Sequence, residues 1–192
     1  LGISYATAPR GGNHMEGFHD HAFMAPDSAP EIDITKPMSR LNLDDKPFAV
    51  YQAENYNSFI NSIPICSFMS LAVMGIHNCD ELTGLLIAAT GWKDFTFEEE
   101  MAIGDRAYSL AKAFTARETG GAPDEDLPKK LADPLPRGGT RDNPVDPEAF
   151  RKARSEYYKL RGWNDAGCPT EDRLKKLGLQ EVAEALYGKG GE

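Results

Sequence analysis

Two short strings place side chains fit for chemistry close together. P-R-G-G-N-H, from Pro9 to His14, sets a guanidinium, two glycines and an imidazole within one turn-length of chain. Glycines let backbone N–H groups approach a phosphate or polar heterocycle closely, and Arg10 adds a planar fork of donors. A plain turn explains the same string. His14, His19 and His21 stand with Glu16 and Asp20, groups of the kind that bind metals, but N-H-M-E-G-F-H-D-H lacks a zinc spacing such as H-E-x-x-H. The second string, N-S-I-P-I-C-S-F from Asn61 to Phe68, carries Cys66 just after the helix breaker Pro64, among Ile63, Ile65, Phe68, Met69 and Leu71. Such a cysteine is either a small buried hydrophobe or a thiolate ligand presented at a helix start, where backbone N–H groups favour negative charge. Its position in the sequence fits both.

Elements able to position these groups must come from one domain. With 192 residues and 41% hydrophobic content, the chain is long enough to bury one sizeable core. A formal charge of -9 argues against a nucleic-acid or anionic-membrane surface, which would need clustered Lys and Arg. The longest apolar stretches, Ile63 to Ile76 and Leu82 to Ala89, are interrupted or too short to span a bilayer. The three cysteines, at 66, 79 and 168, form no C-x-x-C pair, suit a reducing cytoplasm, and fall short of the four thiolates that an iron–sulfur cluster requires. Leu1 opens the chain directly onto an apolar run, so a start inside a larger folded unit is expected.

The pattern predicts a mainly α, multihelical fold read as one domain over 1–192. Residues 1–46 are loop-rich with short helices, and 47–121 form a helical core. In that core Pro47 opens a helix with Phe48, Tyr51, Gln52 and Asn55 on one face. Asp80 caps a second helix that Gly91 closes. Thr96 and Glu99 make a capping box, followed by a stripe of Phe97, Met101, Gly104, Tyr108, Ala111 and Thr115, widened by Ala107, Leu110 and Phe114. Residues 122–145 form an extended, Pro/Gly-rich connection. Residues 146–192 hold the terminal helices: Asp146 and Pro147 start one bearing Phe150, Ala153, Tyr157 and Leu160, and Thr170 starts the next. Tyr157, Tyr158, Arg161 and Trp163 are read as packing, Glu98 to Glu100 as a charged first turn, and Cys79 and Cys168 as structural.

The order of segments resembles the aldehyde ferredoxin oxidoreductase family, whose members carry a tungsten or molybdenum bis-pterin cofactor beside a 4Fe-4S cluster. G-D-R-A-Y-S-L-A-K-A-F-T-A-R-E at Gly104 to Glu118, D-L-P at Asp126, P-L-P at Pro134, and Y-Y-K-L-R-G-W with its sequel through Leu179 carry the resemblance. It implies the family's carboxy-terminal helical domain. Asn61-Ser62-Ile63-Pro64-Ile65-Cys66 matches the family's D-x-x-G-L-C, so Cys66 is implied as a cluster ligand and Asn61 and Ile65 as pterin contacts. Asn61, Pro64 and Ile65 depart from the family's Asp, Gly and Leu. The R-G-x-x-H string implies His14 as a catalytic histidine near metal and substrate, with Arg10 at the cofactor. Further implied are aldehyde oxidation in the intact enzyme, a fragment inactive alone, and as partners the amino-terminal domains, ferredoxin and a small aldehyde. Oligomeric state is left open. Reduction of aromatic thioesters or other carbonyl compounds, or a noncatalytic helical binding module, are the alternatives.

Overall fold

The computed structural model describes residues 1–27, 29–63, 65–67, 79–121 and 124–188. Pro64, Phe68, Met69 and Leu71, expected around Cys66, and the helix start expected there lie outside the described residues. Among the described residues the regular structure is seven α-helices with short 3-10 turns and two isolated bridges: α1 Gly2–Thr7, α2 Lys46–Ser62, α3 Cys79–Thr90, α4 Phe97–Thr119, α5 Pro147–Arg161, α6 Glu171–Lys176 and α7 Gln180–Tyr187. None of these helices is long and apolar enough to cross a membrane.

Local signals set the helix ends. Thr96 and Glu99 form the reciprocal capping box of α4, which ends on Gly120 in the left-handed region (φ 70°). Asp146 Oδ1 accepts the Glu148 N–H at 2.8 Å, with Pro147 in the first turn of α5, and Thr170 caps α6. Asp80 lies inside the first described turn of α3 rather than ahead of it.

Helix α2 is central and packs against α1, α4 and α5. The α2–α4 crossing is close because Gly104 presents no Cβ: one built there would overlap the Asn55 carbonyl. Three buried clusters follow. Phe23, Ile32, Ile34, Tyr56, Phe59, Ile60 and Leu82 form the first; Ile3, Tyr108, Phe150, Tyr157, Tyr158 and Trp163 the second; Ala113, Leu174, Leu179 and Ala183 the third. Each large side chain so buried contributes roughly 1.5–3 kcal/mol.

The buried faces differ from the apolar stripes that the sequence predicts. On α2 the buried set is Ala49, Ala53, Glu54, Asn55, Tyr56, Asn57, Phe59 and Ile60, while Phe48, Tyr51 and Gln52 are only half-buried. Leu110, Ala111 and Phe114 of α4 and Leu160 of α5 are exposed, whereas Glu100, Asp105, Ser109, Lys112 and Arg161 are buried. The reason is a polar seam between α2, α4 and α5. Arg161 donates to Glu54 Oε2 at 2.8 Å, to the Tyr157 hydroxyl at 2.9 Å and to Asn55 Oδ1, and pairs with Asp105 at 3.3 Å. Tyr157 donates to Glu54 Oε2 at 2.6 Å, and Arg173 closes on the far oxygen of Asp105. The guanidinium also lies 4.3 Å from the Tyr108 ring centroid. Burial alone would lower the Arg161 pKa, but the anions around it raise it. In the connection, buried Glu125 binds the Lys112 ammonium and accepts the Tyr158 hydroxyl at 2.5 Å. Tyr157, Tyr158 and Trp163 are thus packing residues, as expected, and Glu98 to Glu100 stand in the first turn of α4, with Glu100 buried.

Candidate functional site

Helix α2 seats the candidate residues. Glu54, Asn57, Ser58 and Asn61 recur at spacings of three and four, which places them on one side of the helix. The first loop crosses that side. Gly17 lies against the Glu54 stem, and Asn57 Nδ2 donates to the Met15 carbonyl at 2.5 Å. From the other side α4 holds the start of the loop: Lys112 Nζ donates to Thr7 O at 2.9 Å, and Thr115 Oγ1 to Pro9 O at 2.6 Å.

Within the loop, side chains close the turn. Arg10 Nε pairs with Glu16 Oε1 at 2.5 Å, and Asn13 Nδ2 donates to the same oxygen at 3.2 Å. Asn13 Oδ1 accepts the Met15 N–H at 2.9 Å, an arrangement in which Asn substitutes for a backbone turn partner. Gly11 adopts φ 87°, a conformation that costs other residues. The turn therefore carries Arg10 and His14 outward, both exposed, with the Arg10 side chain 66% exposed against 11% for Glu16.

Arg10 and Asn61 reach the same place. They line a groove of about 860 Å³ with Pro9, Glu16, Ser58 and Ser62 on one side and Leu110, Phe114 and Thr115 of α4 on the other. The exposed Leu110 and Phe114 are thereby its apolar wall. His14 does not line the groove. Its ring stands edge-on to His19 at 5.7 Å between centroids, and His19 to His21 at 5.6 Å. Among the described residues no three His, Cys, Asp or Glu side chains form a group that could hold a metal ion.

The cysteine string continues from α2. The Ile65 N–H donates to Ile60 O at 3.3 Å, which brings Ile65 back against the helix end. Ile65 packs against the first core cluster, so its side chain points to the core rather than to the groove. Cys66 is an exposed free thiol. Cys79 contrasts with it: its thiol is buried and its pKa is pushed up to about 12, first by burial and then by the neighbouring Glu31 and Glu100. Cys168 is half-buried, with its N–H held by Asn164 Oδ1 at 3.0 Å in the turn after α5. Of the three thiols, Cys66 is thus the one exposed to solvent.

Comparison with known proteins adds the following. The family model "Aldehyde ferredoxin oxidoreductase, domains 2 & 3" matches residues 1–179. Tungsten-containing aldehyde ferredoxin oxidoreductase of Pyrococcus furiosus is 29% identical over 184 residues, and that of Pyrococcus horikoshii is 30% identical over the same length. Each alignment takes in 94% of this chain and 28% of the relative, so the chain spans about a quarter of the length of the curated relatives it matches. Among solved structures, the active-site complex BamBC of benzoyl coenzyme A reductase with 1,5-dienoyl-CoA superposes with a TM-score of 0.61 at 23% identity, over 77% of this chain and 21% of that one. That likeness is one of fold.

Proposed function

The chain belongs to the aldehyde ferredoxin oxidoreductase family, and from that premise we propose that it is the carboxy-terminal domain of a tungsten- or molybdenum-pterin, iron–sulfur oxidoreductase. The reaction proposed is oxidation of an aldehyde with water to a carboxylic acid, releasing two protons and two electrons, the electrons passing to ferredoxin in the cytoplasm. The observation that carries this reading is the convergence on α2: Arg10 and Asn61 line one groove, the His14 turn is bonded to the same side of the helix, and exposed Cys66 follows the helix end.

The donor set fits the cofactors. Cys66 supplies one thiolate to the cluster, and the remaining ligands belong to the amino-terminal domains proposed as its partners. Arg10 and Asn61 offer a cationic fork and a neutral amide to pterin oxygens and nitrogens. Asn61 brings no negative charge where the family pattern has an acid, so its contact is a hydrogen bond between neutral groups. Because the Ile65 side chain packs inward, its part in seating pterin is through its main chain. When bound, the metal–pterin group supplies the two-electron redox chemistry and the cluster carries single electrons away. His14 orients the carbonyl and accepts a proton as water adds, a role for which imidazole is suited near neutral pH.

Anaerobic purification of the enzyme containing this chain, with Cys66→Ala and His14→Ala beside the native form, tests the proposal. Cys66→Ala is expected to lose iron and acid-labile sulfide. His14→Ala is expected to keep metals while turnover falls by roughly 100-fold or more. Full iron content in Cys66→Ala, or native turnover in His14→Ala, removes that residue from its role. Native enzyme that reduces aromatic thioesters but leaves aldehydes untouched would move the substrate class.

A further inference from the structure

We propose that Asn57 is the positioning residue for His14, an inference that rests on the catalytic reading of His14 given above. Met15, the residue that follows His14, has both main-chain polar groups held by side-chain amides: its N–H by Asn13 Oδ1 at 2.9 Å and its carbonyl by Asn57 Nδ2 at 2.5 Å. The two bonds differ in what they connect. Asn13 belongs to the turn itself and moves with it, as do Arg10 and Glu16, which close the turn internally. Asn57 lies in the middle of α2, is 2% exposed, and is fixed by a helix packed on three sides. Its bond therefore transfers the helix's position to the peptide unit beside the imidazole.

An exposed imidazole on a turn can sweep through several rotamers and loop positions. Catalysis needs it held to about 0.5 Å, and a misplacement of 1 Å is enough to lower turnover by up to about 100-fold. The anchors on α4, Lys112 to Thr7 and Thr115 to Pro9, hold the beginning of the loop several residues before His14. Gly17 against Glu54 supplies a packing contact on the far side. Between those two supports, Asn57 is the directional contact to the helical frame. Asparagine suits the position because it reaches a carbonyl as a neutral donor. An aspartate of the same shape, when ionised, would set a negative charge against that carbonyl.

The test uses holoenzyme with Asn57→Asp and Asn57→Ser, each checked for metal content. In Asn57→Asp, kcat is expected to fall between about 10- and 100-fold with KM nearly unchanged. The ratio to native turnover should recover as pH is lowered and the introduced carboxyl gains a proton that it can donate. Asn57→Ser, uncharged and shorter, should give a smaller loss and faster hydrogen exchange across 13–17. In a His14→Ala background neither substitution should lower kcat further, because Asn57 acts through His14. Native kcat and native exchange in both variants overturn the inference, and so does a loss that adds fully to that of His14→Ala. If His14→Ala alone keeps native turnover, the functional reading fails first. If His14→Ala is inactive while both Asn57 variants are native, only the positioning role fails.

Discussion

The Arg161 seam and the Arg10–His14 turn each set an arginine beside a carboxylate, under opposite conditions of solvent. Arg161 is fully buried, and Glu54, Asp105, Asn55 and Tyr157 surround its N–H groups. Arg10 is largely exposed and, among the described residues, pairs through Nε with Glu16. A buried ion is tolerable only where partners answer it on every side, so the seam fixes how α2, α4 and α5 meet. The turn instead leaves its cation and imidazole exposed. Helix α2 serves both: Glu54 and Asn55 belong to the seam, Asn57 and Asn61 to the site.

The largest expected effect breaks the seam. Arg161→Met leaves Glu54 buried without its counter-charge and Asp105 with Arg173 alone, and the chain should lose about 3–5 kcal/mol in urea unfolding. Adding Glu54→Gln should recover much of that loss, since the uncompensated charge then disappears. A single Arg161→Met variant of native stability would show that the seam is not needed for helix packing.

A medium effect comes from Glu100, at the edge of the first cluster. Its carboxyl accepts the Thr83 hydroxyl at 2.6 Å, while its other oxygen is buried without a partner among the described residues. Burial raises its pKa from 4.5 to about 7, the Thr83 bond opposing and Asp80 adding to the shift. The folded state thus holds a proton that the unfolded chain releases near pH 4.5. This contribution to stability is complete below about pH 4.5 and is lost as pH rises to about 7. Glu100→Gln should flatten that slope and stabilise the chain above pH 7 by about 2 kcal/mol. An unchanged pH profile of unfolding would mean that Glu100 ionises at its ordinary value.

These two regions were unequally legible in the amino-acid sequence. Helix ends rest on neighbours in the chain, so Thr96 with Glu99, Asp146 with Pro147, and Gly120 mark them directly. Buried faces do not. Glu54 and Arg161 are 107 positions apart, and nothing near either predicts a partner that would draw it inside. The seam residues turn inward, and Leu110 and Phe114, expected in the apolar stripe, line the groove instead. At the site, residue type draws attention to Arg10, His14 and Cys66, while Asn61 and the roles given to His14 and Cys66 come only from the family resemblance. Asn57 left no comparable trace, because what it binds is the carbonyl of Met15, 42 positions away, and every residue has a carbonyl.

The smallest expected effect sharpens the contrast most. If the site residues are held for outside groups, removing them should cost the domain almost nothing. His14 and Asn61 are exposed, and the Arg10–Glu16 pair is open to solvent on the arginine side. An exposed pair of this kind is worth about 0–1 kcal/mol. Arg10→Ala, His14→Ala and Asn61→Ala should each shift urea unfolding of the chain by about 0.5 kcal/mol or less. The same substitutions in the intact enzyme should alter cofactor retention or turnover. A loss above about 2 kcal/mol for any of them would place that residue with the seam, as a support of the fold, and leave its exposure to be explained by a contact that the native chain makes with itself.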